Sequence, residues 1–269
     1  MAGRFQDKVV LITGASSGIG AETARQLASE GAKLALLARR ANKLASVKSE
    51  MEALGAPVLT FTADVSDRAA LDAAVADTLA AFGRIDIVLA NAGTGVTGPI
   101  FKLTVDDYRR QFETNVFGLL NTIYASLDAL KASRGQLGLL GSVAGVVGTP
   151  SASAYNASKF AVNGLGESIY HDLDELGISV TLIKPGFVDS EIRLLDRQGK
   201  VSDKPDPVPA WLVMSTPAAA RVILSALHRR KPEVTVTFHG KVFTWCKRFL
   251  PGATRWVIRR MSKGSLPKL

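Results

Sequence analysis

Lys8-Val9-Val10-Leu11-Ile12-Thr13-Gly14-Ala15-Ser16-Ser17-Gly18-Ile19-Gly20 reads as a β-branched strand that runs into a glycine loop and then into a helical pattern. Such a continuous apolar run suits a strand buried on both faces, as in parallel sheets. Glycines at 14, 18 and 20 permit a tight turn. They also let a pyrophosphate approach the next helix, whose free N–H groups and dipole favour an anion. The spacing G-x-x-x-G-x-G is neither G-x-G-x-x-G nor a P-loop, which needs Gly-Lys-Ser/Thr. An ordinary βα turn has a similar composition, so the rest of the chain must decide.

Outward from this loop the alternation continues. The helix runs to about Glu30, stopped by Gly31, and strand Lys33 to Ala38 leads to a helix over Asn42 to Leu54. Strand Val58 to Thr62 is followed by a helix from an N-cap at Ser66 to Phe82, and by strand Ile85 to Ala90. Thr104 caps one long helix to about Ala132, before strand Leu137 to Leu140. The helix holding Tyr155 runs to Leu176, and strand Ser179 to Ile183 follows Gly177. Thr216-Pro217 restarts a helix as N-cap and first residue, and Glu233 to Phe238 is the last strand. The pattern predicts an α/β fold: a Rossmann-type doubly wound parallel sheet of about seven strands with helices on both faces. Residues 1–240 form a single nucleotide-binding catalytic domain, and 241–269 a basic amphipathic C-terminal extension.

The 269 residues are 47% hydrophobic, enough for a large core, and no apolar run reaches membrane-spanning length. Met1 to Lys8 has no signal-peptide core, and the single Cys246 allows no internal disulfide, so a cytoplasmic setting is expected. The net charge of +9 is not spread evenly. Residues 221–269 hold 12 Lys/Arg against Glu233 alone, while the body is close to neutral. No nucleic-acid recognition module accompanies this tail. His171, His228 and His239 lack metal-ligand spacing and read as structural or surface residues.

The longest uncharged run, Gly135 to Ser158, contains Ser142 and Tyr155 and ends at Lys159. Tyr155 and Lys159 are four apart and share one helix face. A phenol with pKa ~10 needs roughly 4 kcal/mol of phenolate stabilisation to transfer protons near neutrality, and a nearby ammonium acts in that direction. Ser142 adds a hydroxyl for a substrate oxygen. A half-buried core tyrosine is the plain alternative.

With these residues in place the chain resembles the short-chain dehydrogenase/reductase family over residues 6 to 240. Thr13-Gly14-Ala15-Ser16-Ser17-Gly18-Ile19-Gly20, Asp64-Val65, Asn91-Ala92-Gly93, Asn115, Ser142, Tyr155, Lys159 and Pro185-Gly186 match family motifs in order. Two departures are Ala90, where many relatives carry asparagine, and Ser190, where threonine is common. The resemblance implies hydride transfer between a nicotinamide and a carbonyl or secondary alcohol. Tyr155 would be the general acid/base, and Lys159 would lower its pKa and hold the ribose. Ser142 would polarise the carbonyl, and Asn115 would support a water-mediated proton relay. The cofactor set it implies comprises Thr13, Gly14, Ser16, Ser17, Gly18, Ile19, Gly20, Asp64, Val65, Asn91, Ala92, Gly93, Tyr155, Lys159, Pro185, Gly186, Val188 and Ser190. Family precedent further implies a homo-oligomer, dimer or tetramer.

The end of the second strand separates the two nicotinamide dinucleotides. A carboxylate there would bind a ribose diol. Here the strand ends Ala38-Arg39-Arg40, with no carboxylate until Glu50. Arginine can meet a 2′-phosphate with a planar fork, so NADP(H) is the expected cofactor, with Arg39 and Arg40 in its site and no metal. Residues 191–214 occupy the position of a substrate lid; Leu194, Leu195, Val208, Trp211, Leu212 and Met214 give it apolar surface. The expected activity is reduction or oxidation of a hydrophobic ketone or alcohol, steroid-like or lipid-like. β-Ketoacyl carrier-protein reductase is the alternative enzyme, and a non-catalytic nucleotide-binding regulator the alternative of another class. In the tail, Val242, Trp245, Cys246, Phe249 and Leu250 form a helical apolar stripe, and Arg255, Arg259 and Arg260 surround Trp256, Val257, Ile258 and Met261. The stripe is expected to pack on the core, beside the cleft or against a subunit; peripheral contact with an anionic membrane is the competing expectation.

Overall fold

The computed structural model describes residues 3–199, 206 and 208–262. Pro205 and Pro207, within the expected lid, lie outside them. Seven parallel strands form one sheet in the order β3-β2-β1-β4-β5-β6-β7: β1 Val9–Thr13, β2 Lys33–Ala38, β3 Val58–Thr62, β4 Ile87–Ala90, β5 Gln136–Leu140, β6 Ser179–Lys184 and β7 Glu233–Thr235. The order reverses between β1 and β4, which opens a crevice at their carboxyl ends, the usual ligand position in such sheets.

Alternate side chains of each strand serve opposite layers. Val10 and Ile12 pack with Leu34 and Leu36 against α1 (Gly18–Ser29), α2 (Ala41–Ala53) and α7 (Thr216–His228). Val9, Leu11, Val88 and Leu137 face α3 (Arg68–Phe82), α5 (Gly118–Ser133) and α6 (Ser153–Glu175). Both faces are therefore dry, which explains why the strands read as unbroken apolar runs.

Several boundaries differ from expectation. Asp67, not Ser66, caps α3, accepting from the Ala70 amide, while Ser66 is held by Asp64. Ser215, not Thr216, is the N-cap of α7. Thr104 does cap its helix, in a capping box with Asp107. That helix, however, is α4 (Val105–Phe112), separated from α5 by a π turn over Glu113–Phe117. The last strand stops at Thr235, because the Thr237 hydroxyl accepts from the Gly240 amide and starts α8 (Phe238–Phe249), which α9 (Pro251–Ser262) follows. Among the described residues no helix is long and apolar enough to cross a membrane.

Candidate active site

The loop after β1 is shaped for close approach. Gly14 and Gly18 have φ of +69° and +54°, a region that favours glycine. A Cβ at Gly14 would lie 2.8 Å from the Ala92 Cα, and one at Gly20 would lie 2.5 Å from the Gly14 carbonyl oxygen. Asn91 ties the loop down: its side-chain amide donates to the carbonyls of Thr13 (2.9 Å) and Gly14 (3.1 Å). The Thr13 hydroxyl in turn accepts from the Asn91 and Ala92 amides at 3.1 Å each. Helix α1 carries no acidic residue in its first turn, and Ser17 makes no side-chain cap. Its N–H groups therefore suit an anion.

From this loop a cleft of about 680 Å³ extends past the ends of β4, β5 and β6. At one end lie Arg39, Arg40, Asp64 and Val65; Ser142, Tyr155 and Lys159 lie along its length. Asn91, Ala92, Gly93, Pro185, Gly186, Val188 and Ser190 also line it. The sequence-predicted residues thus converge on one cleft, apart from Thr13, Gly20 and Asn115, which stand behind its surface as supports.

Arg39 and Arg40 diverge. Arg39 is exposed and donates to Asp64 at 3.2 Å. Partial burial pushes the Asp64 carboxyl up, but hydrogen bonds from the Ser66 amide and hydroxyl, with the Arg39 charge, outweigh it and hold the group below its ordinary value. Arg40 reaches inward, donating to the Ser17 hydroxyl at 2.6 Å and to Ser16 at 3.3 Å. It also binds Glu191 at 2.6 Å, and Lys43 binds the same carboxylate. Hydrogen bonds from Lys43 and Arg40 keep Glu191 below the usual carboxylate range. Lys43, one helical turn from Arg39, was missed in the sequence, although i+4 spacing on α2 would have revealed it.

At the other end Ser142 caps a short turn, its hydroxyl accepting from the Ala144 amide at 3.0 Å. Asn163 brackets the same residue, accepting from the Ser142 amide at 3.3 Å and donating to its carbonyl at 3.0 Å. Tyr155, Lys159 and Asn163 recur every fourth residue along α6. A polar stripe at buried helical positions was the available signal for Asn163. Burial pushes the Tyr155 phenol above its usual value, partly offset by its hydrogen bond with Ser142. Lys159 is 3% exposed; its Nζ donates to the Leu140 carbonyl at 2.7 Å and lies 6.0 Å from the Tyr155 ring centre. Burial pulls this ammonium down to about 8. At this distance Lys159 does not offset the burial that pushes the phenol up.

Asn115 is buried on the π turn. Its carbonyl oxygen accepts from the Thr94 amide at 2.8 Å, and its NH₂ donates to the Thr94 carbonyl and the Ser158 hydroxyl, both at 3.1 Å. Ser158 passes the connection to the Tyr155 carbonyl at 2.8 Å. Asn115 thus touches the site through Ser158 and residue 94.

The outer wall comes from Leu212, in the segment read as a lid, and from α8 and α9, whose inward faces the sequence did not reveal. Leu212, His239, Phe243 and Ile258 line the cleft with Val147. His239, expected to be structural or at the surface, accepts the Phe187 amide at 3.0 Å and stacks on the Phe187 ring. Burial lowers its pKa, so it is the neutral imidazole that accepts. The apolar stripe of α8 does not pack on the core as expected: Trp245 and Phe249 are 56% and 58% exposed. It is the opposite face, with Phe243, that lies beside the cleft.

A doubly wound parallel sheet with a glycine-lined loop and a Ser–Tyr–Lys set at its switch point, Ser142 and Lys159 buried and Tyr155 half-buried, defines a nucleotide-binding oxidoreductase scaffold. Sequence comparison agrees. The family profile described as short chain dehydrogenase matches residues 8–200. An 11-beta-hydroxysteroid dehydrogenase A from Sesamum indicum is 34% identical over 269 residues, covering 94% of this chain and 75% of that protein. A 2-dehydro-3-deoxy-L-rhamnonate dehydrogenase (NAD(+)) from Sphingomonas sp. (strain SKA58) is 35% identical over 196 residues, covering 71% of this chain and 76% of its own length. Among solved structures, a short chain dehydrogenase/reductase from Burkholderia phymatum in complex with NAD superimposes with a TM-score of 0.82 at 27% identity, covering 91% of this chain and 94% of that one. The chain belongs to the short-chain dehydrogenase/reductase family and is an oxidoreductase that binds a nicotinamide dinucleotide.

Proposed function

We propose that the protein is an NADP(H)-dependent reductase of a hydrophobic ketone, steroid-like or lipid-like in size. The observation that carries the reading is one cleft holding the Tyr155 phenol paired with a serine hydroxyl at one end and a cationic cluster at the other. A bound nicotinamide supplies or accepts the hydride. The Tyr155 Oη gives a proton to the carbonyl oxygen while the Ser142 hydroxyl, held by the Ala144 amide, orients that oxygen. A phenol raised by burial stays protonated at neutral pH, the state that reduction requires. Lys159 would hold the ribose of the bound dinucleotide, and Asn115, which positions α6 through Ser158, would support a proton relay.

The residues fit the cofactor. Gly14, Ser16, Ser17, Gly18 and Ile19 would hold its pyrophosphate, and Asp64 with Val65 its adenine. Arg39, Arg40 and Lys43, with no carboxylate at the end of β2, favour a 2′-phosphate. NAD is named for the Burkholderia and Sphingomonas relatives; the cluster here argues for the phosphorylated form. The apolar wall of Leu212, Phe243 and Ile258 supports an apolar substrate, as does the steroid dehydrogenase relative. A carrier-protein reductase is less well supported, because α8 and α9 wall the side that a tethered acyl chain would use. A regulatory role without turnover would need neither Ser142 nor Lys159. Phe117 at the end of the π turn and Tyr124 on α5, with Phe160 on α6, leave exposed aromatic surface suited to a second copy of the chain.

Two measurements test the reading. NADPH oxidation with a panel of ketones is expected for the native chain and at least about 10²-fold slower in Tyr155→Phe; equal rates would sink the Tyr155 assignment. Arg40→Ala with Lys43→Ala should weaken NADPH binding while sparing NADH. Equal loss for both would overturn the NADP(H) choice.

A further inference from the structure

Helix α8 carries two faces. Phe238, Val242, Trp245 and Phe249, spaced four, three and four residues apart, form one ridge and are 81%, 45%, 56% and 58% exposed. Lys241 and Arg248 are exposed beside it. The opposite side holds buried Gly240 and Phe243, which lines the cleft. Helix α9 repeats the division: Ile258 lines the cleft, while Trp256, 63% exposed, carries the Arg260 guanidinium 5.8 Å from its ring centre. Trp211, beside the cleft residue Leu212, is 81% exposed. All three tryptophans of the chain thus stand on this exposed rim.

We propose that the α8–α9 pair docks the protein on an anionic lipid surface, with the Phe238–Phe249 ridge entering the boundary between headgroups and acyl chains. The charge pattern selects this occupant. No acidic residue follows Glu233, so the charged side chains of α8 and α9 are all cationic. A symmetric contact through this ridge would instead bring two cationic patches together. Tryptophan and phenylalanine on one face with Lys/Arg at its flank is the arrangement of helices that lie in the membrane interface. The same helices wall the cleft, so docking brings its apolar wall next to the bilayer. Docking follows from these residues alone; the further step, that an apolar ketone enters from the lipid, rests on the function proposed above.

The test uses the full chain and vesicles of phosphatidylcholine with or without phosphatidylserine. Flotation with the phosphatidylserine vesicles at low salt is expected, weakening as salt rises. Tryptophan emission should shift to the blue on mixing, since every tryptophan is at the rim. Trp245→Ser with Phe249→Ser should lower the bound fraction roughly tenfold. Lys241→Glu with Arg248→Glu should abolish the preference for phosphatidylserine. Both variants should keep the native sedimentation coefficient and the native rate on a small water-soluble ketone. Absence of flotation, or equal flotation of the ridge variant, overturns docking; a changed sedimentation coefficient reassigns the ridge to a second copy. Flotation without ketone reduction would instead defeat the proposed activity and leave docking intact.

Discussion

Lys159 is held where its charge is costly. Its Nζ donates to the Leu140 carbonyl, and burial brings its pKa from 10.5 to about 8. Below pH ~8 the folded chain carries the whole penalty, about 3 kcal/mol from that gap. Between pH 8 and 10.5 the unfolded chain binds more protons, so this group's contribution to stability rises with pH. Two outcomes follow at this scale. Lys159→Met should raise the thermal midpoint of the cofactor-free chain by several degrees while removing turnover; a lower midpoint would show that the ammonium stabilises the fold. In the native enzyme, kcat for reduction should decline as pH rises past about 8, because the cation beside the ribose is lost. A profile flat to pH 10 would contradict that dependence.

Helix α4 shows how a local device reaches the segment that follows β6. The Asp107 carboxylate accepts from the Thr104 amide at 2.8 Å, pairs with Arg110, and takes a 2.8 Å bond from Arg197. The Thr104 amide bond leads in holding it at about 2, ahead of an opposing burial penalty. Its stabilisation is therefore complete above the unfolded value of 3.8 and is lost only as pH falls toward 2. Asp107→Asn should cost about 1 kcal/mol through the cap and release Arg197, read as faster tryptic cleavage after that residue. Unchanged cleavage would mean that the segment is held elsewhere. The cap itself was legible, since Thr104 precedes an acidic first turn. The π turn was not: Glu113 to Phe117 has helical periodicity and no proline. The helix is interrupted just before Gly118, where a Cβ would lie 2.4 Å from a Val65 methyl, a tertiary constraint that no local pattern carries. Asp67 displaced Ser66 as a cap for a similar reason, because Asp64 had already engaged the serine. The apolar run at Val234–Phe238 reads equally as strand or helix start, and Thr237 decided it.

At the scale of the molecule, strands buried on both faces made the sheet readable, and the glycine loop, Tyr155 and Lys159 marked its working end. The outer wall was invisible because it depends on which side of α8 faces inward: the conspicuous stripe through Trp245 points out, and the less regular face with Gly240 and Phe243 points in. This placement makes α8 and α9 part of the cleft wall rather than an appendage. Phe243 and Ile258 meet the cleft from two helices, so trimming either removes apolar wall without touching Ser142, Tyr155 or the cofactor loop. An apolar contact of that kind is worth about 1–3 kcal/mol in discrimination. Phe243→Ala and Ile258→Ala should therefore each lower kcat/KM for a bulky apolar ketone by roughly tenfold or more, chiefly through KM. A small ketone that does not reach α8 should be reduced at the native rate. If both substrates suffer equally through kcat, the residues act on the alignment of α8 with Ser142, and the wall does not select the substrate.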